Sequence, residues 1–436
     1  MSSLPLDHLA HSTLPAGLSA PEAPLAKRFF APLLDALAAC PAHRQCPDLP
    51  DRDWLVLGTL RAVHAVPSGR AFLQEIAVGL PNCPEVAQFF ETLKSERRLA
   101  LCEEAGRLLA TRATHALPDR LANLPLLADF DLYAGDGHVH AAAAHDPRSP
   151  KGSKDPTGHL FALDLRQHRL FHLTVSDQQN RRKEHDMRAL KRLEIDTLRL
   201  GAPTGRKVLY VWDRAGIDFP QWHRWKHSSG IYFLSREKDN MALEVVGENP
   251  WDKTDAANTG TLADELCAPS NGVLVRRVRW REPVSGEEFA FLTNELTLPP
   301  GVIAELYRRR WNIEKVFDLL KNKLGAKKAW ATSANAKTMQ AHFLCIAHNL
   351  LLLLETIVAA AGVSTPPAEL RRRQKRLEAQ RQTAAAAGRK LPSLWEGCQR
   401  LTQLPFKFIR WLRSSLWEKA PWLDLITALA RSYAAP

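Results

Sequence analysis

The hydrophobic period of this chain changes near Asp129, and that change limits its fold more than any other feature. Upstream, apolar residues recur at helical spacing through 29–39, 53–65, 70–80, 84–94 and 98–116, with Pro and Gly between the stretches. Downstream, 130–140, 160–166 and 170–175 read as strands, and the short link Gln167-His168-Arg169 predicts a hairpin between the last two. A charged helix over 181–193, an apolar strand over 208–212, a Trp-rich helix over 219–227 and a strand over 231–235 follow. Three strands, a helix, a strand, a helix and a strand predict an α/β core behind a helical N-terminal region.

Residues 239–300 interrupt that order. A polar Gly/Asn/Asp stretch precedes strands at 273–280 and 288–293, which read as a hairpin in a mainly β insertion. The expected organisation is a loose lead-in over 1–28 and a helical domain over 29–128, a candidate for DNA-end binding. The core then occupies 129–238, the β-rich insertion 239–300, the second part of the core 301–362, and a basic helical region 363–436. Ser95-Glu96-Arg97-Arg98 joins two helices and reads as a bundle corner, with a DNA-reading helical unit as the alternative. The basic run 371–390 is helix-prone and expected to be exposed, ahead of a Trp-rich helical tail at 394–429.

Charge sharpens this division. The 436 residues carry a net +12, but 301–436 hold 23 Lys and Arg against 9 Asp and Glu, a net +14, and the first 300 are near neutral at −2. A basic third on a neutral remainder suits a polyanion. No amphipathic anchor accompanies the basic residues, so no membrane partner is expected. The most apolar stretch, 343–361, is interrupted by His348, Asn349 and Glu355 and reads as a buried helix. Seven scattered cysteines include no C-x-x-C pair, which argues against a zinc finger or a disulfide framework. No signal peptide is apparent, and a soluble protein of a reducing compartment is expected.

Asp136 follows Tyr133-Ala134-Gly135 on the first core strand, and Asp213 ends the fourth. If those strands are neighbours, both carboxylates leave the sheet at one edge, and carboxylate oxygens are what Mg²⁺ or Mn²⁺ require. The run from Tyr307 to Lys321 supplies a third acid. On a helix, Arg310, Glu314 and Lys321 fall at about 300°, 340° and 320° from Tyr307, one strip about 60° wide. Leu306, Ile313, Phe317, Leu320 and Leu324 form a separate apolar stripe. The strip therefore offers Glu314 among two cations and a phenol. Such a strip also occurs as a solvated face with weak ion pairs, and each acid alone could be a turn or cap residue.

Together these residues resemble the DDE transposases of bacterial insertion sequences, in the insertion-sequence-four group with its Y-(2)-R-(3)-E-(6)-K signature. Tyr307, Arg310, Glu314 and Lys321 match that spacing, with Trp311 and Ile313 completing the phrase, and Asp136-Gly137 and Asp213-Arg214 match the first two acids. The likeness runs over about 129–354. It departs at His138, where Thr or Ser is common, and at Ala215, where Gly is common. The resemblance implies a ribonuclease-H-like catalytic core interrupted by the β insertion, with Asp136, Asp213 and Glu314 catalytic and holding two Mg²⁺ (or Mn²⁺). It implies cleavage of transposon terminal inverted repeats, strand transfer into target double-stranded DNA, a homodimer on that DNA, and a cytoplasmic, nucleoid-associated location. Tyr307, Arg310, Lys321 and Arg236 would contact DNA, and Trp280 or Trp251 could stack on a flipped base. A Trp in a β hairpin is also a common core residue.

Two other readings stay open. Asp136, His138 and His140 alternate on one strand face, with His145 nearby, and a D-x-H-x-H group could serve a metal-dependent phosphoesterase. Strand histidines are also often simply packed or solvated. A DNA-binding derivative that has lost catalysis would keep the same basic C-terminal third.

Overall fold

The computed structural model describes residues 23–41, 43–44, 49–66, 68–77, 84–148, 152–176, 184–269, 272–283, 285–363 and 403–434, with isolated positions between 371 and 388. Among the described residues five helices come first: α1 (Leu25–Ala38), α2 (Asp51–His64), α3 (Gly69–Ala77), α4 (Val86–Thr92) and α5 (Glu96–Ala113). The core thus begins at Leu25, inside the stretch expected to be a loose lead-in, because Leu25, Phe29 and Phe30 are buried. At the 95–98 junction the Ser95 hydroxyl accepts from the Arg98 N–H at 3.3 Å, capping α5. Arg97 grips Asp51 through two nitrogens at 2.7 and 2.8 Å, and Arg98 donates to the Leu49 carbonyl at 2.7 Å. These basic side chains fasten a bundle corner.

The five helical stretches of the sequence reading and these elements agree to within a few residues, with 78–83 outside the described residues. α11 (Ala334–Ala360) runs through the middle of the bundle against α1, α2 and α5 and also touches the sheet. It is long and apolar enough to cross a bilayer, but 67% of its most apolar window is buried against the rest of the chain. This is the buried helix expected near 343–361.

Among the described residues the sheet has nine strands in the order β3-β2-β1-β4-β5-β9-β8-β7-β6. β1 (Phe130–His140), β2 (Thr157–Asp164) and β3 (Leu170–Val175) form an antiparallel meander. β4 (Lys207–Val211) runs parallel to β1, and β5 (Ile231–Arg236) parallel to β4. The crossovers contain α6 (Asp186–Lys191) and α7 (Ile195–Arg199), then α8 (Phe219–Ser229), which is capped by Asp218 and stopped at Gly230 in the left-handed region. Every residue of β2 is buried, so this strand is covered on both faces.

The β region after β5 is not a separate sheet. β9 (Glu288–Thr293) pairs antiparallel with β5, as in Leu234↔Thr293, so β8 (Val275–Arg281), β7 (Thr261–Ala268) and β6 (Glu244–Glu248) extend the core sheet outward. The expected hairpin is β8–β9. β6 and β7 lay hidden in the polar stretch because β6 is an exposed edge strand and β7 buries Asp264 against Arg276, which breaks the apolar alternation.

The expected single helix around Glu314 is two helices, α9 (Pro300–Arg309) and α10 (Trp311–Lys323), meeting at Arg310. Arg310 keeps helical angles (φ −53°, ψ −36°), while its N–H bonds Tyr307 at 3.1 Å and its carbonyl accepts from Ile313 at 3.1 Å, a tighter three-residue spacing. Leu306, Ile313, Phe317, Leu320 and Leu324 are all buried, as the apolar stripe required. The described positions between 371 and 388 are exposed; the remainder of that run and 389–402 lie outside the described residues. Two further helices, Gln403–Ser415 and Trp422–Ala434, close the chain.

Candidate active site

The floor of the site is where β4 ends beside β1, which runs on to His140 paired with β2. The β1–β4 ladder runs in register to Ala134↔Val211, so Asp136 and Asp213 each stand two residues beyond it at the same sheet edge. Close packing fixes β1 against the end of β4: a Cβ on Gly135 would lie 2.3 Å from Trp212. Trp212 is itself buried. Asp213 caps a single 3₁₀ turn, its Oδ1 accepting from the Ala215 N–H at 2.8 Å. Its backbone carbonyl accepts from the Ser235 hydroxyl at 2.7 Å, which ties it to β5. Asp136 Oδ1 accepts from the Gly137 N–H at 2.7 Å.

The junction of α9 and α10 forms the roof. Arg310 is buried and reaches both ways: Nη1 lies 3.3 Å from Asp136 Oδ2 and Nη2 lies 3.0 Å from Glu314 Oε1. Tyr307 is buried against Phe291 at 4.8 Å and is hydrogen-bonded to Arg310. Burial pushes the Asp136 carboxyl up to about 6; Arg310 and the Gly137 N–H oppose the shift, and Asp213 and Glu314 add to it. Burial works against the charge on Arg310, but Tyr307, Asp136, Glu314 and Asp213 together hold its pKa above the ordinary value. The Tyr307 phenol is raised by burial, with Arg310 and Arg236 opposing and Asp213 adding. One field therefore connects three acids, a guanidinium and a phenol.

Residues 160–350 match the family model of a transposase DDE domain. That segment contains Asp213, Tyr307, Arg310, Glu314 and Lys321 and begins after Asp136. The chain is also 28% identical over 149 residues to the "Putative transposase y4zB" of Sinorhizobium fredii. That alignment covers 33% of this chain and 41% of the relative, so the chain spans less than half of that protein.

A transposase domain of this family implies divalent cations. The donors fit them in kind: three carboxylates with hard oxygens, one so buried beside the other two that its charged form is disfavoured, which a cation would reverse. Among the described residues, however, no three metal-ligating side chains meet at one point, and the Arg310 guanidinium lies between Asp136 and Glu314.

The other predicted residues are placed unevenly around the candidate site. Lys321 is exposed on α10, and its charge reaches His138. Arg236 lies over the Phe289 ring at 4.7 Å, with its charge felt by Tyr307. Trp280 packs near Phe289 and donates its indole N–H to the Thr259 carbonyl at 3.0 Å, the behaviour of a core residue. Trp251 is half-buried, with Lys253 over its ring. His138 and His140 are buried beyond Asp136, His138 stacked on Phe317 at 4.9 Å. The sequence reading missed Gly135, Trp212 and Ser235, which fix the strand tips. It also missed Asp186, whose carboxylate lies 3.4 Å from where a Gly137 Cβ would stand. A glycine directly before an acid at a strand end was the one available signal.

Proposed function

We propose that this chain is a DDE transposase that cuts the ends of a mobile DNA element and joins them to target DNA. The observation that carries the reading is the approach of Asp136 and Asp213 at one sheet edge to Glu314, through an arginine that touches two of the three. A ribonuclease-H-like core is the companion proposal, supported by an antiparallel meander β3-β2-β1 continued by parallel β4 and β5.

Asp136, Asp213 and Glu314 would hold two Mg²⁺ (or Mn²⁺) ions, which supply Lewis acidity at the attacking and leaving oxygens of a phosphodiester. Water adds to phosphorus and the P–O3′ bond breaks, leaving a 3′-hydroxyl at the element's end. That hydroxyl then attacks a target phosphodiester, forming one P–O bond as another breaks. The chain's own residues position the backbone. Arg310 offers guanidinium N–H groups to a phosphate, with the buried Tyr307 ring beside it, and exposed Lys321 a point charge farther along α10. Arg236 flanks Tyr307 and extends this basic edge. Joining two ends calls for a homodimer on the DNA.

The test is cleavage of DNA flanking the reading frame by Asp136→Ala, Asp213→Ala and Glu314→Ala. Each variant should lose cleavage by on the order of 10³-fold or more while still binding the ends. Cleavage at the wild-type rate by any one of them rejects the assignment.

A further inference from the structure

We propose that Arg310 couples DNA-phosphate binding to divalent-cation binding, its side chain passing from Asp136 and Glu314 to a phosphate as the cations enter. The inference rests on the transposase reading and concerns how that site is assembled. Arg310 bridges acids from two elements, β1 and α10, and is only 6% exposed. Its contacts, at 3.0 and 3.3 Å, are longer than those of the two best-seated buried pairs. Arg276 holds Asp264 at 2.6 and 2.8 Å, and Arg97 holds Asp51 at 2.7 and 2.8 Å. Charge-assisted pairs settle at about 2.7–2.9 Å, so Arg310 is stretched between two acceptors rather than seated on either.

Arg310 also has capacity in reserve. Its Nε has no hydrogen-bond partner among the described residues. The Tyr307 and Trp311 rings flank the guanidinium at 5.6 and 5.4 Å. Asp136, Asp213, Glu314 and Tyr307 are the ionisable groups acting on it, from β1, the end of β4, α10 and α9. A divalent cation drawing on Asp136 Oδ2 and Glu314 Oε1 would take the oxygens that Arg310 now holds. A phosphate that takes Arg310's N–H groups frees the same oxygens. Two ligands that each displace one shared contact strengthen one another, and by linkage the effect is reciprocal.

The experiment is an Mn²⁺ titration of the full chain, following the free ion by electron paramagnetic resonance, without DNA and with a short duplex of arbitrary sequence. Duplex should tighten Mn²⁺ binding to the wild type on the order of ten-fold. Arg310→Lys keeps the charge but cannot span both carboxylates. It and Arg310→Gln should bind Mn²⁺ without DNA more tightly than wild type, by a similar factor, and gain less from duplex. Equal DNA-free affinity of wild type and Arg310→Lys overturns the proposal, because charge repulsion alone would leave that variant unchanged. Asp213→Ala separates the two failures. If it binds Mn²⁺ as wild type does, the acids are not the cation site and the transposase reading falls. If it loses binding while both Arg310 variants match wild type, only the coupling falls. Circular dichroism of each variant checks that it is folded.

Discussion

Asp136 and His140 share a strand and a face, yet they belong to different parts of the molecule. Asp136 keeps 21% of its side chain exposed, pairs with Arg310 and faces two other acids. His140 is fully buried, and neither ring nitrogen has a hydrogen-bond partner among the described residues. Around it lie His138 at 5.3 Å and His159 at 4.4 Å, with His159 bonded to His172 at 3.2 Å and His172 5.0 Å from His342. Burial lowers the pKa of all five imidazoles, to about 4 for His138 and His342. Alternation in the sequence puts ionisable groups on one face; depth and counter-charge decide which of them can react.

A substitution at His140 should break this contrast most violently. His140→Asp buries a carboxylate with no cation among its ring neighbours and should cost about 3–5 kcal/mol, enough to threaten folding. His140→Leu removes two unpartnered nitrogens at similar volume. It should change stability by no more than about 1 kcal/mol and leave DNA cleavage and Mn²⁺ stoichiometry intact. Denaturant titrations and metal titrations measure both. Loss of stoichiometric metal binding in His140→Leu or His138→Ala would move the metal site to the histidine face and favour the phosphoesterase reading.

The two regions should also respond to pH with opposite signs. The Asp136 carboxyl is raised in the folded chain, so its contribution is fully present below about pH 4 and lost as pH rises through about 6. The histidines are lowered, so their contribution is present above their unfolded value of about 6.5 and lost as pH falls toward about 4. Without divalent cations, Asp136→Asn should be more stable than wild type by about 2 kcal/mol at pH 7–8, with the gap closing by pH 4. Melting curves across that range give the answer. A gap that persists at pH 4 would mean that something other than the buried carboxylate's charge is at work.

How much of this the sequence disclosed depended on whether a pattern was local. β1 and β3 came out at their observed ends because period-two alternation is a property of consecutive residues. The apolar stripe of α9 and α10 was equally visible, and the neighbouring of the strands that carry Asp136 and precede Asp213 was anticipated from their order. Tyr307 was expected on a ligand-facing strip, but the bend at Arg310 and the Phe291 ring put it against the sheet. Its burial is a product of packing between elements, as is the fit of Trp212 over Gly135. β7 stayed hidden because its buried Asp264 is satisfied by Arg276, on the next strand, and by Asn249. Properties that need a partner distant in the chain leave no period to read.

Lys321 offers the mildest and most quantitative separation of the regions. It is exposed on α10, outside the acids, and its charge is felt by His138 inside the core. If it meets a backbone phosphate, Lys321→Ala should weaken end binding only a few-fold at low salt and lower the slope of log affinity against log salt by about one. Cleavage by bound protein should persist, because the acids and Arg310 are untouched. The measurement is a salt titration of DNA binding, with cleavage read at saturating protein. An unchanged slope would place Lys321 outside the DNA interface and leave Arg310 and Arg236 as the basic edge. A lowered slope with cleavage intact would show that the rim of the site binds DNA while its centre does the chemistry.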